Sequence, residues 1–567
     1  MGFQDVQSHR ELLDGYHARY DADVKAGKIS PLVYPYESIG PLLLILYLLI
    51  PHQRFPVVKR ARLFIFSLIL IFEIFTIKRC RNTIGGNGYA VGIVAGWGVL
   101  WSAALILFSD PQKDFKRVHK SSGVKRPHKS SGVPNGVPRT VSTSVNEDKA
   151  NGTLAHRNAR ECNSDSTQSF AAGEKHPTPN GSITQSSSKE SGLGDDLVSV
   201  PGFVWQNYPS TFSERVDWVL DLVCSFRGVG WSWKPSGLSA PPKEVMAQLE
   251  GSKEESVEAI SVRRGPVGHF TYYTRSGLLR QKLVTFVAYY LALDVLKVTM
   301  MYDAYFWGLV DRKPPTVFPE ILRQSAFFAT SYRLIASIVG VSLALNAICV
   351  LAPLVMVGVI GPRFLGAKAE PWMYPDFYGG YDTVFDNGLA GWWGGWWHQL
   401  FRFGFSEPSL WIIKRCGIDR RSLKAKALQL FVAFTLSGAI HASGSYTQMP
   451  HTRPISGTMV FFILQAFGII AQMIGSQMLE RAGITQRLPN RVRQVSNFVL
   501  VHLWFYFIGP LLIDDFARGG VWLFEPVPIS PMRAMGFGAA EESWWCWGNL
   551  KIRWHTADNW WQSGFAI

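Results

Sequence analysis

The chain has 567 residues, 47% of them hydrophobic and 13% aromatic, with 21 tryptophans and only 17% charged residues. Soluble domains carry roughly 25% charged residues, so composition argues against an ordinary soluble multidomain protein and for a polytopic membrane protein. The net charge of +15 would suit nucleic acid on a soluble protein, but here no nucleic-acid motif accompanies it; the cations flank apolar runs, as Arg54, Lys59, Arg60 and Arg62 do, the pattern of cytosolic loops that meet anionic headgroups.

In chain order, residues 1–31 are polar and carry no cleavable signal pattern. Candidate spans follow at Leu32–Ile50, interrupted by Pro35, Glu37 and Pro41, at Leu63–Ile77, and at the Gly- and Ala-rich Tyr89–Phe108. Residues 109–210 are expected to be a low-complexity, disordered loop, because a Ser-, Gly-, Asn- and Lys-rich stretch buries too little apolar area to fold. It contains HKSSGV twice, at 119–124 and 128–133, and Asn151 and Asn180 in N-x-S/T sequons. Ser213–Phe226 has apolar residues at helical period with Glu214, Asp217 and Asp221 on the other face, which reads as an interfacial helix. RGVGWSW at 227–233 reads as an interfacial turn with its indoles at headgroup level.

Further spans are expected at Leu283–Met301, Leu334–Ile360 with a kink or break at Pro353, Leu428–Ser445, Met459–Met478 and Asn497–Ile513. The first of these carries Asp294 and Lys297 three residues apart, spaced to neutralise each other on one helix face. Residues 514–567 hold seven tryptophans, among them Trp544, Trp545, Trp560 and Trp561, suited to an aromatic belt or cap. The total is eight to ten membrane segments in an all-α polytopic protein, with N-terminal segments at 1–108 and a core at 211–567. The six cysteines are scattered with no CxxC pair, so neither a zinc site nor a disulfide framework is signalled.

Of thirteen histidines, three fall in or beside apolar segments. His441 sits late in an apolar run behind Ser437, Gly438 and Ala439, small residues that admit a helix or a substrate. A neutral imidazole there either takes a proton from an alcohol or bridges two helices by a hydrogen bond. His398 lies in WWGGWWHQLFR at 392–402; it is a belt residue, or, with Gln399 and with Arg402 one helical turn on, part of a site that grips the phosphate of a bulky anionic donor. His502 has no companion motif and reads as packing or interfacial. No GxSxG, Walker, HExxH or GxGxxG pattern competes.

The aromatic–Trp–Gly–x–x–Trp–His–Gln–x–x–Arg segment, followed by Ser437-Gly438-x-x-His441, resembles the membrane-bound O-acyltransferase superfamily, and within it the fungal wax-synthase-like branch. RGVGW at 227–231 and SWWCW at 543–547 carry the same resemblance, which covers roughly residues 210–567; Gly395 and Trp396 depart from it, standing where that branch usually has two arginines. The resemblance implies His441 as the catalytic histidine inside the membrane and His398 as the second polar position. Trp397, Gln399, Arg402 and Ser437 complete a candidate set for acceptor and CoA. It further implies acyl-CoA (acetyl-CoA) as co-substrate, no bound cofactor, no metal, and a hydrophobic small-molecule alcohol as acceptor, a terpenoid or polyketide-type metabolite. The expected location is a multi-pass position in the endoplasmic reticulum membrane. A long-chain wax or sterol ester synthase is the alternative within the class. A transporter with Asp294, Lys297 and His441 along a polar pathway, or an inactive scaffold, are the alternatives outside it.

Overall fold

The computed structural model describes residues 8–125, 199–251, 262–539, 542–548 and 552–566. The second HKSSGV copy, Cys162 and the sequons at Asn151 and Asn180 lie outside the described residues. The chain divides into two compact units, residues 1–121 with 202–567, and residues 122–201; everything below concerns the first.

Its helices are α1 (His9–Lys25), α2 (Ile39–Leu49), α3 (Arg62–Arg79), α4 (Tyr89–Ala103), α5 (Phe212–Cys224), α6 (Arg275–Met301), α7 (Ala326–Pro353), α8 (Asp382–Gly391), α9 (Arg402–Arg415), α10 (Leu423–Tyr446), α11 (Val460–Arg481), α12 (Asn490–Ile508) and α13 (Pro510–Arg518), with shorter turns between them. Two-residue ribbons pair Ser30–Pro31 with Cys80–Arg81 and Val33–Tyr34 with the C-terminal Gly564–Ala566, so the fold is mostly helical rather than wholly so.

Among the described residues, five helices are long and apolar enough to cross a membrane: Tyr89–Phe108, Arg275–Met301, Ala326–Ile360, Leu423–Tyr446 and Pro454–Arg481. α12 and α13, bent by 45°, make a sixth if they count as one broken span. The expected eight to ten is not reached, for physical reasons at the N-terminal end. α2 keeps only 11 residues of the Leu32–Ile50 run, about 16 Å of helix at 1.5 Å per residue against a hydrocarbon core of about 30 Å. α3 carries Arg62, Glu73, Lys78 and Arg79 within its 18 residues. Pro353 does not stop its helix; the chain continues through Leu354–Ile360 in a wider turn.

Two further expectations are corrected. Asp294 and Lys297 are both buried but do not pair with each other. Asp294 accepts from the Met532 backbone N–H at 2.8 Å, and Lys297 donates to the Trp522 carbonyl and faces Glu525 at 3.6 Å. The C-terminal segment thus supplies what the helix face was expected to supply. RGVGWSW is not an interfacial turn: Trp231 is buried, edge-on to Trp218 at 5.0 Å, in a core with Trp97, Trp101, Phe115 and Phe403. α5 does bury one face, with Trp218, Val219 and Leu222, while its acids Asp217 and Asp221 clamp the buried Arg117. That clamp gives structure to a flank of the low-complexity stretch. At the other end of the chain Trp544, Trp545, Trp560 and Trp561 are exposed.

Candidate active site

The site begins with a helix seam. α4 packs lengthwise on α10, and it does so because the seam has almost no side chains. A Cβ on Gly92 would collide with the Ser443 carbonyl, and one on Gly444 would come within 2.9 Å of Ile93 and Tyr89. Thr447 stitches the seam, accepting from the Gly92 N–H at 3.0 Å and donating to the Gly88 carbonyl at 2.9 Å. Such close approach is how helices associate in lipid. It carries the first residue of α4, Tyr89, onto His441 of α10: the phenol oxygen lies 2.7 Å from His441 Nδ1. On the other side Phe462 of α11 stacks on the imidazole, with centroids 4.5 Å apart and planes at 11°. The hydrogen bond to Tyr89 is the only one that His441 makes among the described residues.

His398 is held differently. It lies in a non-helical stretch, 397–401, between a wide helical turn at Trp392–Trp396 and the start of α9. Its ring stacks on Phe377 at 5.3 Å and 22°, with Tyr378, Trp397 and Phe401 around it. Nδ1 is buried with no hydrogen-bond partner, which at a buried polar atom calls for a ligand or another explanation. Burial first, then the charges of the His441 ring and the Arg227 guanidinium, push the His398 imidazole down to about 3, so it is neutral at working pH. Both histidines are partly rather than fully buried.

Residues 374–464 match the Membrane bound O-acyl transferase family. Four curated proteins match as well. O-Mevalon transferase macI of Penicillium terrestre is 24% identical over 306 residues, 52% of this chain and 60% of its own length. Acetyltransferase ple2 of Rhodocybe pseudopiperita is 29% identical over 262 residues, 46% of this chain and 56% of its own. O-Mevalon transferase yanI of Aspergillus niger is 23% identical over 314 residues, 52% of this chain and 60% of its own. The alignments thus span less than two thirds of these relatives. No solved structure matches the chain. The resemblance read from the motifs agrees with these matches to the membrane-bound O-acyltransferase family and to fungal acyl-transferring relatives.

Within the stretch that matches the acyltransferase family, several side chains do other work than their spacing suggests. Gln399 is buried and braces its own loop: its amide donates to the carbonyls of Trp393 and Trp397 at 3.1 and 2.7 Å, and its oxygen accepts from Arg402 at 2.8 Å. Arg402 also donates to the Gly394 carbonyl at 3.2 Å. The helical i, i+4 relation expected between His398 and Arg402 is not formed, because α9 starts only at Arg402. Trp397 anchors the loop through its N–H to the Trp392 carbonyl, at 2.7 Å, and lays its ring beside His398. Ser437 lies one turn before His441 and makes no side-chain hydrogen bond among the described residues. His502 is exposed on α12, bonded to the Phe498 carbonyl at 2.8 Å and near the Tyr381 hydroxyl, at 3.3 Å, as befits a packing residue. Gly395 is required where it is, since a Cβ there would meet the Thr383 side chain at 2.5 Å, and Trp396 packs on Tyr378, Tyr381 and Trp392.

Sequence reasoning missed three neighbours. Arg227, from the RGVGW segment, is partly buried near His398: it donates to the carbonyls of Pro375 and Asp376 at 3.0 and 2.8 Å and lies 5.8 Å over the Phe377 ring that stacks on His398. A cation therefore reaches the site from another segment, although Gly395 and Trp396 supply none. His269, in a stretch that reads as polar, is fully buried and bonds the Tyr378 carbonyl at 3.0 Å through Nδ1; burial, with Arg227, pushes it down to about 4. Tyr89 is the third. The available signals were the arginine in RGVGW and the Gly92 and Gly96 spacing on α4.

Proposed function

We propose that this chain is a membrane-embedded O-acyltransferase that moves an acyl group, acetyl in the favoured reading, from acyl-CoA to a hydroxyl of a hydrophobic acceptor such as a terpenoid or polyketide-type secondary metabolite. The observation that carries the reading is the pair of partly buried histidines, His441 and His398, inside the stretch that matches the family. An alcohol is a poor nucleophile, and a positioned neutral base contributes typically about 10² to 10⁴-fold. The acceptor O–H gives its proton to His441 Nε2 as its oxygen forms the C–O bond to the thioester carbonyl; the C–S bond breaks, and the proton passes on to the leaving thiolate, giving an ester and free CoA. His398 orients the acceptor, or donates a hydrogen bond to the thioester oxygen where charge develops. Trp397, Gln399, Arg402 and Ser437 support this set, the first three by fixing the loop that carries His398. The protein would sit in the endoplasmic reticulum membrane, the acceptor entering laterally and CoA from the cytosol.

The names of two relatives favour a second acyl group, mevalonyl, within the same chemistry. The transporter reading loses ground, because Asp294 and Lys297 are engaged by Met532, Trp522 and Glu525.

The test is to incubate membranes containing the protein with labelled acetyl-CoA or palmitoyl-CoA and three alcohols: a sterol, a diterpene alcohol and 1-hexadecanol. Labelled ester that depends on His441 is the expected result, with acetyl-CoA the better donor. Ester formation that survives His441→Ala undiminished, or no ester from any pairing, overturns the reading.

A further inference from the structure

We infer that Tyr89 is a positioning residue for the acyl transfer, holding His441 in the tautomer whose Nε2 is free to accept a proton; this rests on the function proposed above. The geometry is direct. The phenol oxygen is 2.7 Å from Nδ1, and among the described residues no other hydrogen bond competes for the ring. A histidine base works from one nitrogen only when the other is occupied by a proton that has somewhere to go, and the partner of that second nitrogen sets the tautomer. Tyr89 itself is fixed. Phe516 of α13 meets its ring edge-on at 5.1 Å, and the Gly92–Ser443 seam leaves α4 no room to slide along α10.

Nδ1 is taken up by Tyr89, so Nε2 is the ring nitrogen left to meet the acceptor. A base at Nε2 carries the ring proton on Nδ1, and the phenol oxygen, 2.7 Å away, is the group that accepts it there. When Nε2 takes the acceptor's proton, the Nδ1–H bond becomes charge-assisted and strengthens; no proton passes through Tyr89. The groups in contact with the His441 ring are thus Tyr89 from α4 and Phe462 from α11.

The test compares wild type, Tyr89→Phe and a protein with 3-fluorotyrosine at position 89, using acetyl-CoA and whichever of the three alcohols above the wild type esterifies. Tyr89→Phe removes one oxygen and keeps the ring. The expected result is kcat lower by about 10- to 100-fold, the range for losing a hydrogen bond to a group that becomes charged, with KM for both substrates within about twofold. A role in packing alone predicts no change in kcat, and that outcome overturns the inference. Fluorine weakens the phenol oxygen as an acceptor and strengthens its O–H as a donor. The fluorotyrosine protein is therefore expected between wild type and Tyr89→Phe; kcat equal to or above wild type overturns the inference. This second variant keeps ring and hydrogen bond, so it decides the matter even if Tyr89→Phe does not accumulate. A wild type that forms no ester speaks against the proposed function instead, which keeps the two failures apart.

Discussion

His441 sits five residues before the end of a regular 24-residue helix, locked to α4 by a seam of small residues and touched by one phenol and one phenyl ring. His398 sits in five residues outside any helix, between a wide turn and a helix start, and is held by four aromatic rings and the polar braces of Gln399. The first is placed by backbone regularity. The second is placed by side chains that must all be right at once. A base has to meet a proton along one line, whereas a group that orients an acceptor or answers charge on a thioester oxygen has to fit a shape, and an irregular loop is free to take that shape.

The comparison can be broken at either end. The largest effect is expected for His441→Ala: ester formation falls by about 10² to 10⁴-fold while the protein still accumulates in membranes, as a rate normalised to immunodetected protein would show. A drop below tenfold would remove His441 as the base. His398→Ala is expected to cost about 10² to 10³-fold, and His398→Asn to recover part of that, since an amide still donates; equal losses for Ala and Asn would mean that only the shape of the ring matters. Gln399→Leu keeps the size of the side chain and removes three hydrogen bonds of the loop. With the His398 ring loosened, kcat should fall by about tenfold, within the range seen when reacting groups are displaced by about an ångström. No change there would show that the aromatic cage suffices.

The smallest effect is on stability against pH. His398 has a pKa of about 3 in the folded protein, below the roughly 6.5 of an unfolded histidine. Between these values the unfolded chain binds the proton and the native chain does not, so stability falls as pH is lowered from about 6.5 toward 3. The melting temperature of detergent-solubilised protein should follow that slope, and His398→Asn should flatten it; an unchanged slope would mean that other groups carry the acid sensitivity.

Much of this arrangement was legible because membranes tax polar groups: a histidine in an apolar run stands out, so His441 and His398 could be picked from thirteen. The spans after residue 270 were legible for the same reason, as long apolar runs. What local pattern could not show was pairing across the chain. Tyr89 is 352 positions from His441, and Arg227 reaches the His398 cage through the carbonyls of Pro375 and Asp376. Helical spacing misled at Asp294 and Lys297, where partners came from 522–532, and at Arg402, which is itself the first residue of its helix, so the spacing does not reach back to His398. Tryptophans misled at 231, because indoles serve a core as well as they serve a headgroup layer.

The seam between α4 and α10 has one more consequence, and it concerns mechanical tolerance. Packed helices shift against each other by slides of about 1–2 Å or ratchet by a whole turn of about 5.4 Å. Either movement would take Tyr89 out of its hydrogen bond with the imidazole. The Gly92 face against the Ser443 carbonyl works as an alignment pin that admits a single seating. A designer who wished to slow this protein without touching any reacting group could therefore do so from the seam, by giving the pin a little play.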